Sequence, residues 1–319
     1  MLEAGTDLSY ASACLKQGKT VAIPTETVYG LAANALAVTA VAEIFRIKNR
    51  PAFDPLIVHV ASLEEATPYV ALIPDLVKRL YAQLGPGPIT YILPKSQRIP
   101  DLVTAGHATV GIRIPDHPLT LALLKLLDFP LAAPSANPFG FTSPTTAQHV
   151  ADQLGSEVAY ILDGGPCRVG LESTILDASG DKLKVLRLGG LSLEQLEVAA
   201  GRSITEVQLS SSNPQAPGML TRHYNPGKKL LLGAFPALLA NHSLERTALL
   251  TFKDYYASFP IENQYVLAPD GEMSTAASRL FAGLRALAQL DVDLILAESL
   301  PEIGLGRAIN DRLRRAAAQ

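Results

Sequence analysis

Cysteine is scarce in this chain of 319 residues: Cys14 and Cys167 stand far apart without a CxxC partner, which excludes a disulfide framework and gives no zinc-ligand spacing. Both read as buried thiols. Long apolar runs are missing as well, since stretches such as 119–127 and 247–252 fall well short of the ~20 residues that a membrane span needs. No transmembrane helix is expected. The N-terminal MLEAGTDLSY lacks the basic and apolar regions of a secretory signal, so the expected location is cytoplasmic. Neither charge sign dominates: 27 Lys and Arg stand against 30 Asp and Glu, for a net charge of −3. The one late basic cluster, Arg312, Arg314 and Arg315, reads as a solvated helix end, so tight nonspecific nucleic-acid binding is not expected. There is no GxxxxGK[ST] phosphate loop, no GxGxxG, no HExxH and no GxSxG elbow, and GLGR at 304–307 lacks the third glycine of a dinucleotide fingerprint. His107, His117, His149 and His242 show no metal-ligand spacing and are assigned no role.

What is present is a chain 48% hydrophobic and 18% charged, long enough for two unequal domains. Apolar periodicity predicts helices near 7–17, 39–49, 74–84, 117–128, 145–154 and 191–200. Strands are predicted near 20–24, 56–60, 89–93, 109–114, 130–133, 158–162, 173–177 and 183–188. Their uneven alternation favours an α/β or α+β domain with a mixed sheet. After Gly201 the pattern loosens into SSSNPQAPGMLTRHYNPGKK, a linker by composition. Beyond it KLLLG, TALLTF, QYVLAP and DLILAE alternate with helical segments, as in a small parallel sheet with crossovers. The expected division is 1–206, a linker at 207–227, and 228–319.

Five polar sets fall at strand ends and turns before residue 190. Thr25, Glu26 and Thr27 follow the first strand, where their hydroxyls either cap a turn or serve a site. Lys48, Asn49 and Arg50 close a helix, with Asp54 and His59 beyond; Pro51 fixes a bend that would aim both cations at a common point suited to a phosphate. Thr109 and Arg113 lie four apart on one strand face, and an arginine there needs an anion, either a ligand carboxylate or an internal aspartate. Ser135, Asn137 and Ser143 sit in a loop whose composition is ordinary for a loop, yet they offer neutral donors to phosphate oxygens. Glu172, Ser173, Thr174 and Arg187 mark the ends of two neighbouring strands.

Taken together, IPTETVYGLAANA (23–35), IFRIKNRPAFDPLIVHV (44–60), GPITYIL (87–93), TVGIRIPDHP (109–118), LAAPSANPFGFTSPTT (131–146) and GLESTILD (170–177) resemble the threonylcarbamoyl-AMP synthase family, the YrdC-like enzymes. PGMLTRHYNP (217–226) and the closing GLGRAINDRLRRAA resemble its longer two-domain form. The resemblance implies a twisted mixed-sheet YrdC-like domain with a cationic cavity and a smaller Rossmann-like α/β domain. It implies synthesis of L-threonylcarbamoyl-AMP from L-threonine, bicarbonate or CO2 and ATP with Mg2+, releasing pyrophosphate. Separate transferase machinery would then deliver the group to tRNA beside the anticodon. Carried over by motif, Lys48 and Arg50 would be catalytic and face the phosphates. Asp54, Thr109, Ser135, Ser143, Arg187 and Tyr224 would join Arg50 in binding ATP. Thr27, His59, Arg113, Ala133 and Ser173 would bind L-threonine. Two departures stand out: asparagine is usual at the position of Asp54, and glycine or another small residue at that of Asn49. Direct RNA binding is the competing reading, and the net negative charge limits it to weak contact. Carbamoyl transfer, the other competitor, needs domains for which the chain is too short.

Overall fold

The computed structural model describes residues 4–180, 182–210, 214–220, 222–241 and 246–318. Its strands are β1 (Ala4–Gly5), β2 (Val21–Ile23), β3 (Gly30–Asn34), β4 (Ile57–His59), β5 (Ile89–Pro94), β6 (Thr109–Arg113), β7 (Leu131–Ala132), β8 (Tyr160–Leu162), β9 (Thr174–Asp177), β10 (Lys184–Arg187), β11 (Glu206–Val207), β12 (Lys229–Gly233), β13 (Thr247–Thr251), β14 (Gln264–Val266) and β15 (Leu294–Glu298). The first eleven form one sheet in the order β1-β8-β2-β3-β7-β4-β6-β5-β9-β10-β11, with parallel and antiparallel neighbours mixed. The last four form an all-parallel sheet ordered β12-β15-β13-β14. Parallel neighbours need crossovers, and α/β connections supply them here.

Helices α1 (Leu8–Lys16), α2 (Val38–Lys48), α3 (Asp75–Leu84), α4 (Asp101–Thr104), α5 (Pro118–Lys125), α6 (Ala147–Leu154) and α7 (Leu193–Ala200) accompany the large sheet. The helices α8 (Phe235–Asn241), α9 (Met273–Ala288) and α10 (Gly306–Ala317) accompany the small one. Their ends follow local chemistry. Thr146 caps α6 by accepting from the His149 amide, and Ser192 with Gln195 closes a capping box on α7. At the end of α2, Asn49 takes the left-handed conformation (φ 50°, ψ 43°), and the amides of Asn49 and Arg50 return to the Arg46 and Phe45 carbonyls. Asparagine is one of the few residues besides glycine that enters that conformation readily, so Asn49 suits this helix end.

Three strands and one short helix were not legible in the sequence: β1, β3, β11 and α4. In β3, GLAAN is almost wholly buried and built from small residues, so it shows neither alternation nor β-branched enrichment. The smallness has a packing reason, since a Cβ on Gly30 would lie 3.2 Å from that of Ala133. The basic cluster at the end of the chain is only partly the solvated helix end that its sequence suggests. Arg314 is exposed as expected of a helix end, whereas Arg315 is buried and Arg312 is the largest fully buried side chain among the described residues. Both buried guanidinia have internal carboxylate partners, which the local sequence does not announce.

One hydrophobic cluster runs through both sheets, from Val185 and Leu188 through Tyr224 to Leu230, Phe281 and Leu313. The two parts also approach at Gly170 (φ 74°), where a Cβ would fall 2.4 Å from the Ser278 backbone. Cys14 and Cys167 are free and buried. No helix among the described residues is long and apolar enough to cross a membrane.

Candidate active site

Strand register assembles the site. His59 and Arg113 are register partners on the parallel strands β4 and β6, and Thr90 of β5 lies across from Arg113. Gly30 bridges to Ser135, which brings the loop after β7 against the end of β3. A cavity opens where these ends converge, lined by Arg50, His59, Arg113, Ala133, Ser135, Glu172 and Arg187, and covered by Pro217, Gly218, His223 and Tyr224 of the linker. In this closed arrangement it holds about 50 Å³. That is far below the ~300 Å³ at which small-molecule sites begin.

Arg113 is buried with one Nη doing most of its bonding: Nη2 donates to Glu26 Oε1 at 2.8 Å and to Thr27 Oγ1 at 2.7 Å. Its internal anion is therefore a glutamate, not an aspartate. Nε is buried without any hydrogen-bond partner, so the guanidinium retains donor capacity on a cavity wall. Thr25 links to Thr27 at 2.8 Å and caps the turn through the Val28 amide, so this set both shapes the turn and supports Arg113. His59 donates from Nδ1 to the Ile57 carbonyl at 3.2 Å. Burial, followed by the charge of Arg113, pushes its pKa down to about 3, so the ring is neutral near pH 7.

Lys48 and Arg50 leave the end of α2 in different directions. The Lys48 ammonium donates to the Ser135 carbonyl at 2.6 Å and to that of Asn137, cross-tying the loop, and does not reach the cavity lining. Burial, then the adjacent Arg50, hold its pKa well below the usual lysine range. Arg50 lines the cavity while donating to the Asp54 and Pro55 carbonyls. The Asp54 carboxylate lies 2.9 Å from Arg50 Nη2 without hydrogen-bond alignment, and burial raises its pKa. The cation that answers this unusual carboxylate is thus Arg50.

Glu172 is the hub of the opposite wall. Oε1 accepts from the Ser143 hydroxyl at 2.6 Å, and Oε2 accepts from Arg312 Nε and Nη2 at 3.1 and 3.0 Å. Burial is the largest single influence and would raise its pKa, but Arg312, Arg187 and Ser143 together outweigh it and bring the value down to about 2. Arg187 donates to the Ser173 carbonyl at 3.0 Å, the Ser173 hydroxyl at 2.9 Å and the Pro217 carbonyl at 3.1 Å, which ties β10 to the linker. Burial lowers its pKa to about 10. Tyr224 stacks on Phe281 at 5.5 Å, and its pKa rises to about 12 on burial. Gly189 makes this wall possible, since a Cβ there would lie 2.2 Å from the Glu172 carbonyl oxygen.

Of the residues singled out in the sequence, Thr25, Arg50, His59, Arg113, Ala133, Ser135, Glu172, Arg187 and Tyr224 line the cavity. Thr27, Asp54, Ser143 and Ser173 lie behind it, each bonded or paired to a lining side chain, while Lys48 grips the backbone of Ser135. Thr109 instead lines a narrow neighbouring cleft of about 10 Å³, on the far side of Ile57 and Pro217. His223 was not singled out in the sequence, where only the RHYNP segment hinted at it, and Arg312 read there as part of a solvated helix end. His107, His117 and His149 stay outside the cavity, and His242 lies outside the described residues. Among the described residues no three metal-ligating side chains cluster, and Asp54 is engaged by Arg50. A divalent cation held mainly by a ligand's phosphates fits this donor set better than one held in a protein cage.

Two family models match in tandem: one described as telomere recombination over residues 13–189, and the threonylcarbamoyl-AMP synthase C-terminal domain over 191–318. The chain is similar to a threonylcarbamoyl-AMP synthase of Bacillus subtilis (strain 168), with 39% identity covering 97% of this chain and 92% of that protein. It is similar to that of Pyrococcus abyssi (strain GE5 / Orsay), also at 39%, covering 96% and 92%. Among solved structures, P. abyssi Sua5 complexed with L-threonine superposes with a TM-score of 0.91 at 36% identity, over 100% of this chain and 98% of that one.

Proposed function

The chain belongs to the threonylcarbamoyl-AMP synthase family in its two-domain form, an enzyme of nucleotidyl transfer, and from that premise we propose that it makes L-threonylcarbamoyl-AMP from L-threonine, bicarbonate or CO2, and ATP. The observation that carries this reading is the charge of the cavity. In a chain of net charge −3, Arg50, Arg113 and Arg187 share one lining with a single carboxylate among the described residues, Glu172, which is itself held by Arg312. Such a wall suits a polyanion at one end and a carboxylate at the other.

In the proposed arrangement Arg113 takes the threonine carboxylate, with Thr27 and Ser173 fixing the guanidinia behind and His59 and the Ala133 backbone beside the substrate. Arg50, Ser135 and Arg187 face the nucleotide, Ser143 and Asp54 hold their partners, Thr109 supports the adjacent cleft, and Tyr224 covers. Magnesium arrives with ATP as a substrate complex and offsets phosphate charge. The neutral threonine amine adds to CO2 and gives up a proton to solvent to form a carbamate; a carbamate oxygen attacks the α-phosphorus, and the bond from the α-phosphorus to the oxygen bridging the α- and β-phosphates breaks to release pyrophosphate. Lys48 and Arg50 stabilise the charge that develops, Arg50 at the lining and Lys48 once its carbonyl ties open. The linker must move for ATP to enter and re-close to shield a labile mixed anhydride from water. Its product would serve threonylcarbamoylation of tRNA beside the anticodon by a separate transferase. We place the division at 1–206, 207–227 and 228–319, with the linker serving as the cover.

The test is pyrophosphate release by the purified chain with ATP and magnesium, threonine and bicarbonate omitted in turn. Release requiring both supports the synthase reading; release indifferent to threonine contradicts it.

A further inference from the structure

The second part of the chain places a side chain, Arg312, directly behind the wall of the first part's cavity, against the lining residue Glu172. Arg312 sits on α10, which packs on β12 and α9 of the small sheet, yet its guanidinium is fully buried against Glu172 at 3.0 Å. Its Nη1 is held by Asp311 Oδ2 at 3.0 Å, and its Cζ lies 5.4 Å from the Tyr224 ring centroid. Asp311 in turn accepts from Arg315 Nε at 3.0 Å, and Arg315 donates to the Leu209 carbonyl at 2.7 Å and to that of Leu220 in the linker. One helix turn therefore grips both the carboxylate of the cavity wall and the segment that covers the cavity.

Glu172 is the only carboxylate in the lining among the described residues. Without a counter-charge it would face an incoming phosphate or carboxylate as a like charge in a poorly solvated site, where repulsion is strong. It would also compete for Arg187, which stands on the same wall. We propose that Arg312 is a positioning residue for the catalytic cavity: it cancels and orients Glu172 from behind, so that the cavity's affinity for anionic substrates depends on the last helix of the second domain. This rests on the reading that the cavity receives ATP and threonine. It gives the small domain a part in substrate binding rather than in stability alone.

A packing role and a charge-cancelling role separate in a double-mutant comparison on the full chain. Affinity for ATP with magnesium is measured by calorimetry for the wild type, Arg312→Met, Glu172→Gln and the Arg312→Met/Glu172→Gln pair, alongside thermal melts. The expected result is an ATP Kd raised more than tenfold in Arg312→Met, with the double variant recovering to within about threefold of wild type, since both charges are then gone. Arg312→Lys, which keeps the charge and loses the fork, is expected to fall between. A single variant within twofold of wild type overturns the proposal, as does a double variant no better than the single. Should Arg312→Met not fold, the double variant decides alone: ATP affinity within about threefold of wild type supports charge cancellation, and anything weaker rejects it. Pyrophosphate release by the wild type is followed separately. If it is absent while ATP binds, the synthase reading fails and the Kd comparison still judges Arg312; if the wild type does not bind ATP, both fail.

Discussion

Lys48 is fully buried among carbonyl oxygens and forms no ion pair among the described residues, which makes its charge expensive to keep. If its value lies in the reaction, replacement by an apolar chain of similar length should separate activity from stability. Lys48→Met is expected to lower kcat by about 10²–10³-fold while Tm holds or rises. A collapse of Tm with turnover retained would make Lys48 structural. Arg50→Ala should behave differently, losing both, because it strands the buried Asp54; adding Asp54→Asn should restore stability but not turnover. Burial also sets the acid limit of the fold. His59 and His223 both have pKa values near 3 in the folded chain against ~6.5 unfolded, so the unfolded state binds more protons between those values and stability is lost as pH falls through that window. Glu172 titrates near 2 instead of ~4.3, and its contribution is present above ~4.3 and lost as pH falls toward 2. Urea midpoints against pH should therefore decline from about 6.5 downward, and Glu172→Gln should flatten the part below about 4.3. Parallel curves for wild type and variant would contradict the Glu172 assignment.

At the scale of elements, the linker is held by specific contacts rather than draped. Gly218 has φ 84°, and a Cβ there would meet Arg187 Cδ at 3.1 Å and Tyr224 Oη at 3.3 Å. Gly218→Ala should bias against the closed linker by ~1–3 kcal/mol, seen as faster hydrolysis of the enzyme-bound product with little change in Tm. Product lifetime equal to wild type would remove the covering role from this segment. Replacing Tyr224 itself mixes covering with packing, since it is a core residue stacked on Phe281. Most elements were legible because periodic apolar positions and caps coincide: α2, β6 and three strands of the small sheet lie within a residue or two of expectation, while β14 ends three residues before the expected segment does. β3 was hidden by its small, uniformly buried residues. The site was legible where several polar residues sit together at a strand end, as with Thr25 to Thr27 and Glu172 to Thr174. It was illegible where one residue from a distant helix completes it. Nothing around Arg312 distinguishes it from the exposed Arg314 two positions on.

At the scale of the molecule, the apolar cluster crosses from the large sheet to the small one without a break, with Tyr224 inside it. Arg285 on α9 also donates to the Thr142 carbonyl and to Gln153 Oε1, and Arg307 pairs with Glu194 at 2.8 Å. A shared core of this kind should unfold as one unit, so calorimetry is expected to show a single transition with matching calorimetric and van't Hoff enthalpies. Two resolved transitions would show that the parts fold independently and that α10 is a looser neighbour of the cavity. The central claim, that this cavity joins threonine, one inorganic carbon and an adenylate, is tested most directly by mass spectrometry of the product formed from ATP, L-threonine and carbon-13 bicarbonate. The expected product is an AMP conjugate of threonine carrying the labelled carbon, formed together with pyrophosphate. ADP with phosphate, or AMP free of threonine and label from the earliest time points, would contradict it.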